Sequence, residues 1–220
     1  MKYIIMCGGS YQSFKNPRWL MTINGEVLIE RTIRQLHNLG ITDLYISTNF
    51  PEPFKYLNIP ILTRDNSYEV IDGVLHEYWV DAFIPLNIPI CYLCGDVWYS
   101  DEALQKIINT DTDDVLFFGT QIPFAIGYYK YYEEPLAFKV VNQKKFKEGI
   151  RKTKYLQDHH LTNRNPISWE LYRVLNGYDP NRHIMGNGFI GVHDFAIDID
   201  SPDDLEKIEK AVKTYLGSLK

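Results

Sequence analysis

The chain has 220 residues, 45% of them hydrophobic and 23% charged, which is enough for one sizeable domain with a core of its own. A formal net charge of −5 argues against general nucleic-acid binding and leaves room for a small anionic ligand only where basic residues gather locally. The three cysteines, Cys7, Cys91 and Cys94, argue against a disulfide framework, and no apolar run approaches the ~18 residues of a membrane span, so a cytoplasmic protein without a membrane partner is expected.

Lys2–Met6 is a short apolar run of strand formers that stops at Gly8-Gly9. Val27–Leu39 repeats apolar residues with a helical period at Leu28, Ile29, Ile33, Leu36 and Leu39, and Gly40 closes it. Asp43–Thr48 reads as a strand and Pro60–Leu62 as a shorter one. Val70–Phe83 reads as a helix, with Ile71, Val74, Leu75 and Tyr78 on one face. Ile88–Leu93 is a buried strand running into Cys94-Gly95-Asp96. Ser100–Asn109 follows as a helix with Ser100 as its N-cap and Asp101 and Glu102 in the first turn. Asp114–Phe118 is again a strand. This alternation predicts an α/β sheet with right-handed crossovers.

From Thr120 to His183 the pattern blurs. Phe138–Val141 reads as a strand, Lys144–Ile150 as a short helix and Ser168–Leu175 as a helix opened by a serine cap. No linker-like composition bounds this stretch, so residues 120–185 are taken as an elaboration of a single domain spanning 1–220. Its basic run, from Lys144 to Lys154, has the ordinary character of a solvated helix face. Asp203–Leu216 is an amphipathic helix announced by Ser201-Pro202 and acidic residues in its first turn.

Three features fall beyond the carboxyl ends of the predicted strands, where open α/β sheets bind ligands. After the first strand, Gly8-Gly9 would let backbone N–H groups approach a phosphate, with Lys15 and Arg18 supplying charge. Neither common nucleotide fingerprint is present, and a plain turn explains a glycine pair equally well. In the middle of the chain, Asp96 follows a glycine at a strand end. Magnesium needs only one or two carboxylates when substrate phosphates supply the rest. Near the end, Asp198-Ile199-Asp200 would point two carboxylates to one face of a strand. Cys91 and Cys94 have metal-ligand spacing but no second Cys/His pair, and read as small core residues. His159-His160 would point apart.

Taken in order, these parts carry a resemblance. Gly8-Gly9, Pro17-Arg18-Trp19-Leu20 and Asn24-Gly25-Glu26-Val27-Leu28-Ile29-Glu30-Arg31 resemble the opening of the nucleotidyltransferases that activate sugar phosphates and related compounds. Leu93-Cys94-Gly95-Asp96-Val97 is similar to their metal-binding Gly-Asp, and Asp198-Ile199-Asp200-Ser201-Pro202-Asp203-Asp204-Leu205 to their closing acidic motif. The opening loop departs from the usual Gly-Gly-x-Gly-x-Arg, with Tyr11 at the third glycine and Ser13 at the arginine.

The resemblance implies a three-layer, Rossmann-like mixed sheet of the nucleotidyltransferase (glycosyltransferase-A-like) type. It implies transfer of a nucleoside monophosphate, with CTP the favoured donor, to a small phosphorylated sugar, polyol or amino-alcohol for a surface glycan, with Mg²⁺ as cofactor. Cys7, Gly8, Gly9, Ser10, Tyr11, Asn66 and Asp96 would bind the nucleotide, and Arg18 and Lys15 would be catalytic. Asp96, Asp200 and Asp198 would hold the metal. Tyr128, Arg164, Trp169, Gly186 and Asn187 would meet the acceptor. A homodimer contact would use the aromatic middle region. Two alternatives stay open: a glycosyltransferase of similar fold that reads Asp198-x-Asp200 as its metal motif, and a non-catalytic nucleotide binder.

Overall fold

Lys2–Met6 forms β1, with four of its five residues buried. The computed structural model describes residues 1–8, 17–63, 69–71, 74–76, 78–120, 133–202 and 205–219. After β1 come a hairpin of β2 (Thr22–Ile23) and β3 (Glu26–Val27), helix α1 (Leu28–Asn38), β4 (Leu44–Thr48) and β5 (Ile61–Thr63). The hairpin turns on Asn24-Gly25, whose φ values of 52° and 85° suit the two-residue turn that matches strand twist. Helix α1 ends as Gly40 predicts. With φ at 78°, Gly40 donates to the His37 carbonyl, and Ile41 donates to the Leu36 carbonyl.

The stretch read as a helix over Val70–Phe83 is not one. Glu69–Ile71 (β6) and Val74–His76 (β7) pair antiparallel, and Trp79–Ala82 makes a single tight helical turn. Apolar residues at 71, 74, 75 and 78 satisfy a helical period by coincidence. The β-branched Val70, Ile71 and Val74 favour strands over a helix.

The chain continues through β8 (Ile90–Cys94), β9 (Val97–Tyr99), α2 (Asp101–Asn109), β10 (Val115–Thr120), β11 (Pro135–Val140) and α3 (Gln143–Asp158). It ends with α4 (Ser168–Leu175), β12 (Phe189–Val192), β13 (Ala196–Asp198) and α5 (Leu205–Ser218). Ser100 caps α2 as expected, its hydroxyl accepting from the Ala103 N–H. Ser168 does not cap α4. The N-cap is Ile167, and Glu170 reaches back to its N–H instead.

Seven strands form the main sheet in the order β12-β10-β11-β8-β1-β4-β5. Only β11 runs against the others. Helices cover both faces. On one, Phe83, Tyr92, Phe138 and Phe146 bring α3 against β8 and β11. On the other, the buried Lys139 ammonium donates to the Ile108 and Thr110 carbonyls where α2 ends. A second, smaller core lies apart: Trp98, Phe195, Ile197 and Ile199 pack with Ile208, Ala211, Val212 and Tyr215 of α5. Among the described residues no helix is long and apolar enough to cross a membrane.

Phe83 is 2% exposed and meets Trp79, Tyr92, Phe138 and Phe146 edge-on at 5.1–5.5 Å. Phe83→Ala should therefore lower stability by about 3–5 kcal/mol, read as a fall in the urea midpoint at unchanged slope.

Candidate active site

Going along the chain, β4 and β5 add to one side of β1 and β8 returns to the other, so the topological switch point lies between β1 and β8. Their register pairs Met6 with Cys94, which sets Cys7-Gly8 beside Gly95-Asp96. The Gly95 N–H donates to the Met6 carbonyl at 3.0 Å. Gly95 is required by this approach: a Cβ there would lie 2.6 Å from the Met6 oxygen and 2.7 Å from the Cys7 sulfur.

The late acidic motif arrives by a separate route. β13 pairs antiparallel with β9, placing Asp198 opposite Val97, and the Ile199 N–H donates to the Asp96 carbonyl at 3.0 Å. Residues about a hundred positions apart in sequence thus become neighbours. Arg18 closes the group from a third direction. Its guanidinium lies 3.2 Å from an Asp96 carboxylate oxygen and donates to the Ile199 carbonyl at 3.1 Å. The turn that carries it is anchored by Trp19, 1% exposed, which stacks on Phe54.

Glu134 was not anticipated from the sequence. It precedes β11, and because β11 alone runs antiparallel, its start lies at the edge where β8 ends. The Glu134 N–H donates to the Thr120 hydroxyl at 2.8 Å, and its carbonyl accepts from the Thr120 N–H at 3.0 Å. Its side chain comes together with those of Asp198 and Asp200, one carboxylate oxygen from each lying within 4.8 Å of the others. Glu134 and Asp198 are buried, whereas Asp200 is exposed beyond the end of β13. Nothing in the sequence around Glu133-Glu134 distinguishes it, since the signal is the direction of a strand.

The donor set is all carboxylate oxygen, which suits a hard divalent cation such as Mg²⁺ and not a soft one. Asp96 stands next to this group, paired with Arg18. Cys94 lies within reach of the same charges. Burial first, then the carboxylates of Asp96, Asp198 and Glu134, push its thiol well up, with Arg18 opposing. Burial likewise pushes Cys91 up to about 12. An odd spacing on a strand sends Cys91 and Cys94 to opposite faces, so they cannot share a metal, and all three cysteines are free.

Of the acceptor residues proposed from sequence, Trp169 is 6% exposed, edge-on to Phe117 at 4.7 Å. Arg164 pairs with Glu170 at 2.9 Å. Gly186 and Asn187 are held by tyrosines: Gly186 N–H donates to the Tyr172 hydroxyl at 2.7 Å and Asn187 N–H to the Tyr178 hydroxyl at 2.9 Å. His183, near this loop, reaches Glu133 at 3.5 Å, which links the loop to the segment carrying Glu134. Gly9, Ser10, Tyr11, Lys15, Asn66 and Tyr128 lie outside the described residues.

No protein-family model matches the chain, and no curated protein matches its sequence. Solved structures do resemble it in shape. One is the CTP:phosphocholine cytidylyltransferase LicC of Streptococcus pneumoniae, with TM-score 0.55 and 15% identity over 96% of this chain and 98% of that one. A second is the inositol-1-phosphate CTP transferase of T. maritima, with TM-score 0.56 and 14% identity over 97% of this chain and 95% of that one. A third, from Bacillus anthracis and described as a glucose-1-phosphate thymidylyltransferase, was solved in complex with sucrose. It has TM-score 0.56 and 13% identity over 97% and 94% of the two chains. The chain has the fold of these nucleotidyltransferases. At such identities the likeness is one of fold, and it covers nearly the full length of each.

Two outcomes follow. Gly95→Ala should destabilise by about 1–3 kcal/mol, because backbone and not a flexible side chain meets the new methyl, and thermal melting will show it. In the folded protein at pH 8 Ellman's reagent should titrate none of Cys7, Cys91 and Cys94, and all of them after denaturation, because burial holds each as a neutral thiol.

Proposed function

We propose that the chain is a magnesium-dependent nucleotidyltransferase that moves a nucleoside monophosphate, CMP in preference, from its triphosphate to a small phosphorylated sugar, polyol or amino-alcohol, releasing pyrophosphate. The observation that carries this reading is the convergence of Arg18, Asp96, Glu134, Asp198 and Asp200 at the switch point of the sheet. The resembling structures add support, since two of the three named act with CTP and all three names denote nucleotidyl transfer.

In-line attack by an acceptor phosphate on the α-phosphorus brings two anionic groups together, so the protein's task is positioning and charge neutralisation. Asp198, Asp200 and Glu134 would hold the ion, which would supply positive charge to offset that of the reacting phosphates. Arg18 offers a planar fork for phosphate oxygens, and its pairing with Asp96 and the Ile199 carbonyl sets where that fork sits before substrate arrives. Gly8, with Gly9 and Ser10 after it, would offer backbone N–H groups to the triphosphate. Cytoplasmic location and a possible pairing of two copies belong to this reading as expectations.

Pyrophosphate release should be measured with CTP, UTP, GTP, ATP and dTTP in Mg²⁺ against phosphocholine, glycerol phosphate and sugar 1-phosphates. CTP with one of these acceptors should give turnover that chelation abolishes. Glu134→Gln, Asp198→Asn and Asp200→Asn should each lower kcat by about 100-fold or more while leaving the melting temperature high. Full activity in all three variants would overturn the metal assignment. Binding of nucleotide without pyrophosphate would point to a sensor, and consumption of a nucleotide sugar to a glycosyltransferase.

A further inference from the structure

A second cleft, of about 480 Å³, opens along α3, and none of its lining residues belongs to the carboxylate group described above. Its floor and one wall come from a stripe of α3 at helical spacing, Lys147, Ile150, Arg151, Lys154, Tyr155 and Asp158. The opposite wall is Asp81, within the tight turn over Trp79–Ala82, and Pro85 just beyond it. The walls are tied together along their length. Lys147 donates to the Asn87 side chain at 2.6 Å, Lys154 lies 3.3 Å from the Asp81 carboxylate, and the Tyr78 hydroxyl donates to Asp158 at 2.5 Å.

Its charges do not cancel. Both of its carboxylates are engaged, Asp81 by Lys154 and Asp158 by the Tyr78 hydroxyl. Among the described residues, Lys147 meets only the neutral Asn87 amide, and Arg151, exposed one turn away, meets no carboxylate. The lining carries three cationic side chains against two carboxylates, and two of the cations, one helical turn apart, face the cleft with no ion-paired carboxylate among the described residues, one a compact ammonium and the other a planar fork. Ile150, Pro85 and the half-exposed Tyr155 ring give the same cleft an apolar flank, and its volume falls in the range of small-molecule sites.

We propose that this cleft is a binding site for a small dianion with an apolar body, namely a phosphate monoester of an aromatic or alicyclic alcohol. The phosphate lies between Lys147 and Arg151, and the ring lies against Ile150, Pro85 and Tyr155. The site is separate from the candidate active site and stands whether or not nucleotidyl transfer is the activity.

Phenyl phosphate serves as the probe, titrated calorimetrically into the full chain with phenol as its uncharged counterpart. Saturable binding of one phenyl phosphate and none of phenol is expected. Arg151→Glu and Lys147→Ala, both on the exposed helix surface, should each weaken it at least tenfold with unchanged melting temperature, and Asp200→Asn should leave it unaltered. Absence of saturable binding would overturn the proposal. So would binding lost in Asp200→Asn but kept in Arg151→Glu, since the probe would then be seated in the active site, and so would equal binding of phenol. Should Arg151→Glu perturb folding, Arg151→Ala replaces it with the same expected direction.

Discussion

The antiparallel pairing of Val97–Tyr99 with Ala196–Asp198 is the contact on which the candidate site depends. Those strands belong to no part of the main sheet, and their three-residue length is too short to hold by hydrogen bonds alone. What fixes them is the second core. Trp98, Ile197 and Ile199 are buried against Ile208, Ala211 and Val212 of the final helix, and Tyr215 donates to Asp194 and Glu102 beside them. The last helix thus acts as a clamp on the strand that carries Asp198, and its packing energy holds that strand's end against the Asp96 backbone.

A second constraint is the direction of a single strand. Were β11 parallel to its neighbours, its first residues would lie at the opposite edge of the sheet from the ends of β1 and β8. Running antiparallel between β10 and β8, it delivers Glu134 to the ligand edge, and Thr120 fixes its backbone there through two hydrogen bonds. Close packing then limits what may replace the parts. Gly95 cannot gain a methyl without meeting the Met6 carbonyl, and Gly119 would meet the Glu134 carbonyl at 3.1 Å.

The concentration of carboxylates has an electrostatic consequence that the fold must absorb. Among the described residues, Glu134, Asp198, Asp200 and Asp96 gather near Arg18, a set of net negative charge that favours a cation. Cys94, buried among them, is driven toward its neutral form, by burial first and then by these carboxylates.

Much of this was legible in the chain itself. The alternation of strands and helices, the Gly40 stop of α1, the Ser100 cap and the positions of Arg18, Asp96, Asp198 and Asp200 follow from periodicity, from local hydrogen-bonding chemistry and from a resemblance carried by short motifs. The pairing of Glu69–Ile71 with Val74–His76 does not follow from the sequence, because a few apolar residues fit two periods at once and only the strand pairing separates them. Local sequence by itself determined the elements whose period, cap and turn residues agree, such as β1, α1 and α2, because capping, turn chemistry and side-chain period act within a few residues. Tertiary structure decided the company each residue keeps. Asp198 is brought beside the Asp96 backbone through a strand pair, Glu134 reaches Asp198 through strand direction, and Arg18 reaches Asp96 and the Ile199 carbonyl through a turn anchored on Phe54, contacts whose energy comes from long-range burial that no local pattern records.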